Sequence, residues 1–194
     1  MIINKQRNIS KAICLCLLVA GIVPACEPQP LQMKTDWQRL DELGITKNAF
    51  RALPVDKQIE ILADVAAYAW TVPLEAGSWM ALTIGQKGAE AITPVVVTIR
   101  AYLPPARNGD RIAKNMVYWL PDALLYASRD GINLRGTEAA VLIDDLACNP
   151  TNGNLSYAGH SVELLLVAIH PELAVPDSFD AKWQRAEICK SLGK

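Results

Sequence analysis

The chain has 194 residues, of which 51% are hydrophobic, and a formal net charge of −1. This hydrophobic content is typical of a folded protein and excludes a disordered chain, and the length suits one domain with a substantial core. Lys and Arg form no cluster of the kind that binds phosphate groups, so nucleic acid is excluded as a partner.

Residues 1–25 have the form of a secretory signal peptide. Lys5, Arg7 and Lys11 make a positive start, and the apolar run Ala12–Ala25 follows. This run has 14 residues, whereas a helix needs about 20 apolar residues to span a bilayer. A cleaved signal is therefore favoured over a permanent transmembrane anchor. Its removal takes away three basic residues and no acidic ones, which changes the net charge to −4.

The end of this segment, Val23-Pro24-Ala25-Cys26, resembles the lipobox of bacterial lipoproteins. The resemblance implies cleavage before Cys26, which then carries the lipid as the first residue of the mature protein. It also implies anchoring in the bacterial cell envelope. The outer membrane is favoured over the inner membrane, because Glu27 and not Asp follows the cysteine. A soluble periplasmic or secreted protein and an uncleaved signal anchor are the alternatives.

The five cysteines divide between these roles. Cys14 and Cys16 leave with the signal and Cys26 is assigned to lipid, which leaves Cys148 and Cys189. The compartment permits disulfides, so we predict that these two are paired, closing a loop of about 40 residues. Two separately buried thiols are the alternative.

Helical patterns fill a single predicted domain over residues 35–194, which follows a proline-containing tether over 26–34. Apolar residues recur at helical spacing in successive segments that end near Gly or Pro. The predicted helices span 36–43, 46–53, 55–70, 74–84, 87–103, 110–127, 137–147, 161–170 and a final segment capped by Ser178.

The segment 87–103 also suits a strand, because Val95–Ile99 is rich in β-branched residues. A helix is favoured since Thr93-Pro94 fits an N-cap followed by proline at the first helical position, and no second strand exists to pair with it. Pro104-Pro105 is predicted to form the next turn. In the helix that follows, Pro121 predicts a kink.

Two segments, Gly88-Ala89-Glu90-Ala91 and Gly136-Thr137-Glu138-Ala139, begin apolar helices about 48 residues apart. Helices paired across short Pro and Gly turns resemble the HEAT or armadillo type of α-solenoid over residues 55–170. The predicted fold is therefore all-α, with antiparallel helix pairs arranged as a HEAT-like α-solenoid or as an irregular helical bundle.

The common sequence signatures of catalysis and cofactor binding are absent, and we predict no cofactor. His160 and His170 lie ten residues apart, too far to share a metal, and we predict no metal site. His170 is interpreted as a helix C-terminal residue, and Asp144-Asp145 as a solvated face. An enzyme acting on envelope or cell-wall substrates is the alternative, and it requires a pocket that gathers Asp144, Asp145 or Glu138 with His160.

Aromatic residues give the remaining functional signal, with five Trp against two Phe. Most aromatic residues fill cores, but they also dominate binding hot spots. Tyr118, Trp119 and Tyr157 are the candidates for a binding surface, and of the neighbours Tyr118 and Trp119 one is expected to be exposed. We therefore predict a non-catalytic protein-binding or scaffold module, anchored to the membrane by its lipid. An inhibitor or immunity protein is one version, and the partner is another envelope or secreted protein.

Overall fold

The structure is a computed structural model that describes residues 36–68, 75–149, 151–152, 159–175 and 180–194. Within these ranges the regular secondary structure is helical and includes no strand. The predicted all-α class is confirmed. The described helices belong to one compact unit of the chain.

The limits of the described helices agree with the sequence prediction to within about four residues. This agreement follows from apolar periodicity together with strong stop signals. The helices are α1 (Asp36–Glu42), α2 (Lys47–Ala52), α3 (Val55–Tyr68), α4 (Glu75–Gly85), α5 (Ala89–Arg107), α6 (Arg111–Arg129), α7 (Glu138–Cys148), α8 (Gly159–Ile169) and α9 (Ala181–Ser191).

Side-chain caps begin three of these helices. Thr46 accepts a hydrogen bond from a backbone N–H at the start of α2, and Asp110 does the same for α6. At the start of α9 the cap is Asp180, whereas Ser178, predicted for this role, lies outside the described residues. Each cap satisfies backbone donors that have no partner within the helix.

Helix α5 contains three prolines. Pro94, Pro104 and Pro105 all lie inside it, so Pro94 is not the first helical residue and Pro104-Pro105 is not a turn; both predictions are wrong. A proline removes one backbone donor and crowds the preceding turn. The proline carbonyls stay in use, since Thr98 Oγ1 donates to Pro94 and the Asn108 N–H donates to Pro104. The helix continues through all three prolines. Helix α6 likewise continues on both sides of Pro121.

Helices that are close in the chain are also close in space. α3 packs on α4, α5 on α6 and α7 on α8, and the pairs contact one another along two rows, α3–α5–α7 and α4–α6–α8. Every substantial contact among the described helices joins helices no more than three positions apart. This pattern of contacts is typical of helix pairs that stack on one another in chain order.

Helices α5 and α7 run in the same direction within their row. Arg100 binds Glu138 and Arg107 binds Asp145, and the members of each pair are 38 residues apart. The repeat predicted from the glycine segments has a spacing of about 48. Helix α7 therefore packs beside the second half of α5 rather than level with its start.

Helix α9 packs against the second half of α7. Arg185 Nε donates to the carbonyl oxygen of Ala147 at 2.6 Å. Lys194, which follows α9, places its Nζ 3.7 Å from Asp144 Oδ2.

Two glycines allow α4 to approach α6 closely. A Cβ atom on Gly77 would lie 2.3 Å from Cε2 of Trp119, and one on Gly85 would lie 2.5 Å from the carbonyl oxygen of Ala123. Real Cβ atoms essentially never come within 3.0 Å of another heavy atom. Only a residue without a Cβ fits at these two positions.

The core extends through nearly every described helix, from Phe50 in α2 to Ile188 in α9. Small residues sit where helices cross, and large ones fill the space between the crossings. The largest fully buried side chains are Trp119, Phe50, Leu62, Met80, Ile84, Ile99, Met116, Leu120, Leu124, Ile143, Leu165 and Leu166.

Candidate functional site

The residues predicted to carry the lipid signal, Val23-Pro24-Ala25-Cys26, lie outside the described residues. Lipid attachment at Cys26 therefore stays a prediction. Among the helices that the structure describes, none is both long and apolar enough to cross a bilayer.

The predicted disulfide is present between Cys148, the last residue of α7, and Cys189 in α9. Their Cα atoms are 5.3 Å apart, and 41 positions separate them in the chain. The bond holds α9 against α7 at the point where the regular stack ends. Assignment of Cys14, Cys16 and Cys26 to other roles was sufficient to identify this pair.

Two clefts lie beside the disulfide, and Cys148 contributes to both. The larger has a volume of about 450 Å³ and lies between α7, α8 and α9. The smaller has a volume of about 350 Å³ and is lined by Asp145, Cys148, Asn149 and Lys194. The residues that line the larger cleft are Ala147, Cys148, Glu163, Lys182, Arg185, Ala186 and Cys189.

The adjacent carboxylates of α7, Asp144 and Asp145, are both half-buried and paired, so the prediction of a solvated face is wrong. His170 Nε2 lies 2.8 Å from Asp144 Oδ1, and Lys194 approaches the other oxygen of Asp144. At the next residue, Arg107 Nη2 donates to Asp145 Oδ2 at 3.0 Å. As adjacent helical residues, the two carboxylates diverge and serve different partners.

His170 follows the last residue of α8, as its interpretation as a helix C-terminal residue requires. Its second ring nitrogen lies 3.8 Å from Glu172, which also binds Arg135. A backbone hydrogen bond, together with Arg135 and His170, lowers the pKa of Glu172. His170 therefore lies between two carboxylates and joins α7 to the segment after α8.

At the other end of α8, Ser161 Oγ donates a hydrogen bond to the Asp122 carboxylate in α6. Burial raises the pKa of Asp122, although Ser161 and the nearby His160 act in the opposite direction. His160 itself is exposed. It lies ten residues from His170, and a helix rises about 1.5 Å per residue, so about 15 Å separates the two histidines.

The acids required by the enzyme alternative do not converge on His160. Glu138 binds Arg100 across α5 and α7, and Asp144 pairs with His170 at the far end of α8. Asp145 faces Arg107. General acid–base chemistry needs groups within hydrogen-bond reach of one reacting atom, and this set lacks that geometry.

The predicted aromatic binding surface is not formed as expected. Trp119 is fully buried, and its indole N–H has no hydrogen-bond partner among the described residues, so its assignment to a surface is wrong. Tyr118 is half-buried. Tyr157 lies outside the described residues. The indole of Trp119 occupies the space left by Gly77, which explains its orientation.

A cluster of aromatic and basic residues lies at the other end of the stack. The ring of Trp79 in α4 contacts Trp37 at 5.6 Å and Phe50 at 5.5 Å between centroids. Lys47 Nζ lies 4.3 Å from the Trp37 ring centroid, and Arg51 also faces Trp79. The tilted rings and the cations over their faces are stabilising contacts. This cluster attaches α1 and α2 to the body.

An exposed surface on α5 and α7 was not predicted from the sequence. This α5/α7 outer face consists of Val97, Arg100, Pro104, Glu138 and Val141, all of them exposed. Val97 is 57% exposed and Val141 is 64% exposed, the highest values among the exposed large hydrophobic residues. Residues three and four apart lie on one side of a helix, so spacing alone could group these positions but not show which side faces solvent.

Comparisons of the chain with family models, characterised proteins and solved structures give no match. In the part of the chain that the structure describes, no three His, Cys, Asp or Glu side chains come together as a metal site would require. The candidate sites are therefore the α5/α7 outer face and the larger cleft beside the disulfide.

Proposed function

We propose that the protein is a lipid-anchored, non-catalytic binding module of the bacterial cell envelope, and that the α5/α7 outer face binds another protein. The observation that carries this proposal is the exposure of Val97 and Val141 on adjacent parallel helices. Single exposed apolar residues are common on protein surfaces. Two branched aliphatic residues on one rigid face are a better candidate for the apolar centre of an interface.

The charges on this face supply a polar rim. Arg100 Nη1 lies 2.8 Å from Glu138 Oε2, with both side chains largely in solvent. An exposed ion pair adds about 1 kcal/mol or less to stability, so the pair is not needed for the fold. It is free to exchange partners with charged groups on a binding protein, which favours specificity and correct orientation.

Lipid on Cys26 would keep the helical domain close to the membrane. Asp36, where α1 begins, lies ten residues after Cys26. Ten residues extend over at most about 36 Å, and more than one acyl chain is needed for stable anchoring. The partner is therefore expected in the same compartment, as a membrane or secreted protein. A toxin neutralised there would make this chain an immunity or inhibitor protein.

The test compares two variants of the full chain as bait in solubilised envelopes. Val97→Asp with Val141→Asp places two charges at the centre of the face, whereas Leu82→Asp changes an exposed apolar residue of α4 in the other row. We expect the double variant to lose at least tenfold of the captured partner and Leu82→Asp to retain it, measured by quantitative mass spectrometry. Equal capture by both variants would contradict the proposed face.

The anchor is measured in the same preparation. The expected result is acyl mass on Cys26 of the membrane-extracted protein and its release into the soluble fraction by Cys26→Ser. Unmodified Cys26 at the N-terminus of a soluble chain would remove the anchor from the proposal and leave the binding face as a separate question.

A further inference from the structure

The larger cleft beside the disulfide contains a largely buried carboxylate that has an ion-pair partner but no hydrogen-bond partner among the described residues. Glu163 lies in α8, lines the cleft, and has only 8% of its side chain exposed. Its closest charged neighbour is Arg185, whose Nη1 lies 3.9 Å from Oε1, beyond hydrogen-bond distance. Within the described ranges no hydrogen bond reaches the Glu163 carboxylate, so its oxygens have capacity for a ligand that enters the cleft.

Arg185 cannot move toward Glu163 without losing another contact. Its Nε donates to the carbonyl oxygen of Ala147 at 2.6 Å, at the end of α7. This bond holds the guanidinium at the side of the cleft. The carboxylate and the guanidinium therefore line the same space and leave capacity for further hydrogen bonds.

A second cation lines the cleft at its edge. Lys182 in the first turn of α9 is exposed, and no acidic group of the described chain lies within ion-pair distance of its ammonium. The short side chains of Ala147 and Ala186 and the disulfide also line the cleft. The cleft thus offers one deep acceptor and two cations nearer the surface.

We propose that this cleft binds a small zwitterionic amino compound, an α-amino acid or a short peptide. The ligand ammonium donates to Glu163, and the ligand carboxylate accepts from Lys182 and Arg185. The volume of about 450 Å³ is within the range of about 300–1,000 Å³ that is usual for small-molecule sites. Lys182 and Arg185 together carry more positive charge than Glu163 carries negative charge. A ligand that has an amino group but no carboxylate would therefore be repelled by the net positive charge of the cleft.

The experiment titrates the full, oxidised chain with glycylglycine and follows binding by NMR chemical shifts of the α8 and α9 amides. N-Acetylglycine, which lacks the ammonium, and glycinamide, which lacks the carboxylate, are the matched probes. We expect saturable binding of glycylglycine and at least tenfold weaker binding of each of the other two. Equal binding of N-acetylglycine would make the cleft a simple anion site and overturn the proposal, as would the absence of saturable glycylglycine binding.

Variants locate the binding in the cleft. Glu163→Gln should weaken glycylglycine binding at least tenfold, whereas Glu187→Gln, in α9 but not lining the cleft, should leave it unchanged. Lys182→Gln changes an exposed side chain and gives a second test that does not depend on a buried position. Unchanged affinity in Lys182→Gln, or in folded Glu163→Gln, would overturn the proposal. The Val97→Asp and Val141→Asp variants should bind glycylglycine normally, so this test is independent of the α5/α7 outer face.

Discussion

Two helix contacts in this protein are stabilised by different kinds of interaction. Where α4 meets α6, two glycines bring the backbones together and the Trp119 indole fills the remaining space. Where α7 meets α9, a disulfide joins the helices and charged side chains surround it. The first contact depends on shape and exclusion of water. The second depends on a covalent bond and on ionised groups, so the two contacts should respond to different perturbations.

Removal of the disulfide gives the largest expected effect. Cys148→Ser with Cys189→Ser releases a loop of 41 residues, for which the chain-entropy account gives about 4 kcal/mol of lost stability. The free energy of unfolding in urea measures this loss.

Hydrogen exchange shows where the loss occurs. We expect amides of α9 to lose protection in the double serine variant, while amides of α4 and α6 keep theirs. Equal loss of protection in both regions would show that the two contacts form one cooperative unit, and the comparison between them would fail.

A methyl group at the α4–α6 contact gives the next largest effect. Gly85→Ala forces a Cβ against the backbone oxygen of Ala123, and overpacking of this kind costs about 1–3 kcal/mol. Helix propensity alone predicts the opposite sign, because Ala is better than Gly by roughly 1 kcal/mol inside a helix. A lower melting temperature of Gly85→Ala would therefore show that α4 and α6 approach closely at this position.

Gly77→Ala offers a matched control, because its obstacle is a side chain. The added methyl meets the Trp119 ring, so its cost should fall when Trp119→Leu is already present. Additive costs in the double variant would contradict direct contact between the two positions.

The smallest expected effect is the pH dependence of stability that arises from Asp122. Burial raises the pKa of Asp122 in the folded protein, so the folded state holds this proton more tightly than the unfolded chain. The resulting stability is present below the ordinary aspartate pKa of about 3.9 and is lost as pH rises through the folded value. Asp122→Asn has no such proton and should gain stability relative to wild type across this window.

Urea unfolding from about pH 3.5 upward measures this difference. The stability difference between Asp122→Asn and wild type should grow with pH. A difference for Asp122→Asn that stays flat would mean that burial does not govern its proton.

Helix positions were predictable from the sequence because apolar spacing and stop residues are local signals. The disulfide followed from the cysteine count. The predictions that were wrong concern residues whose environment is set by distant parts of the chain. Pro94 and Pro104 lie in α5 because the packing of a long helix outweighs the loss of single hydrogen bonds. Trp119 is buried because Gly77, over forty positions earlier, leaves room for its ring.

The candidate sites were harder to predict than the helices. Glu163 sits within an apolar helix, and only the approach of α9 makes it part of a cleft. Val97 closes a run of three valines, of which Val95 and Val96 are buried. Asp144 looked solvated because its partners, His170 and Lys194, lie 26 and 50 positions away. Long-range partners decide exposure, and no local pattern contains them.

The stacking order of the helices also bears on how the chain reaches this structure. Contacts among the described helices stay within three positions along the chain, so the topology has a low contact order and little loop-closure entropy opposes each step. Each helix can add to a surface that its predecessors have already formed. The bond between Cys148 and Cys189 joins α7 to α9 and closes a loop that contains α8. Folding by successive addition of helices would then be completed by the one oxidation that closes this loop.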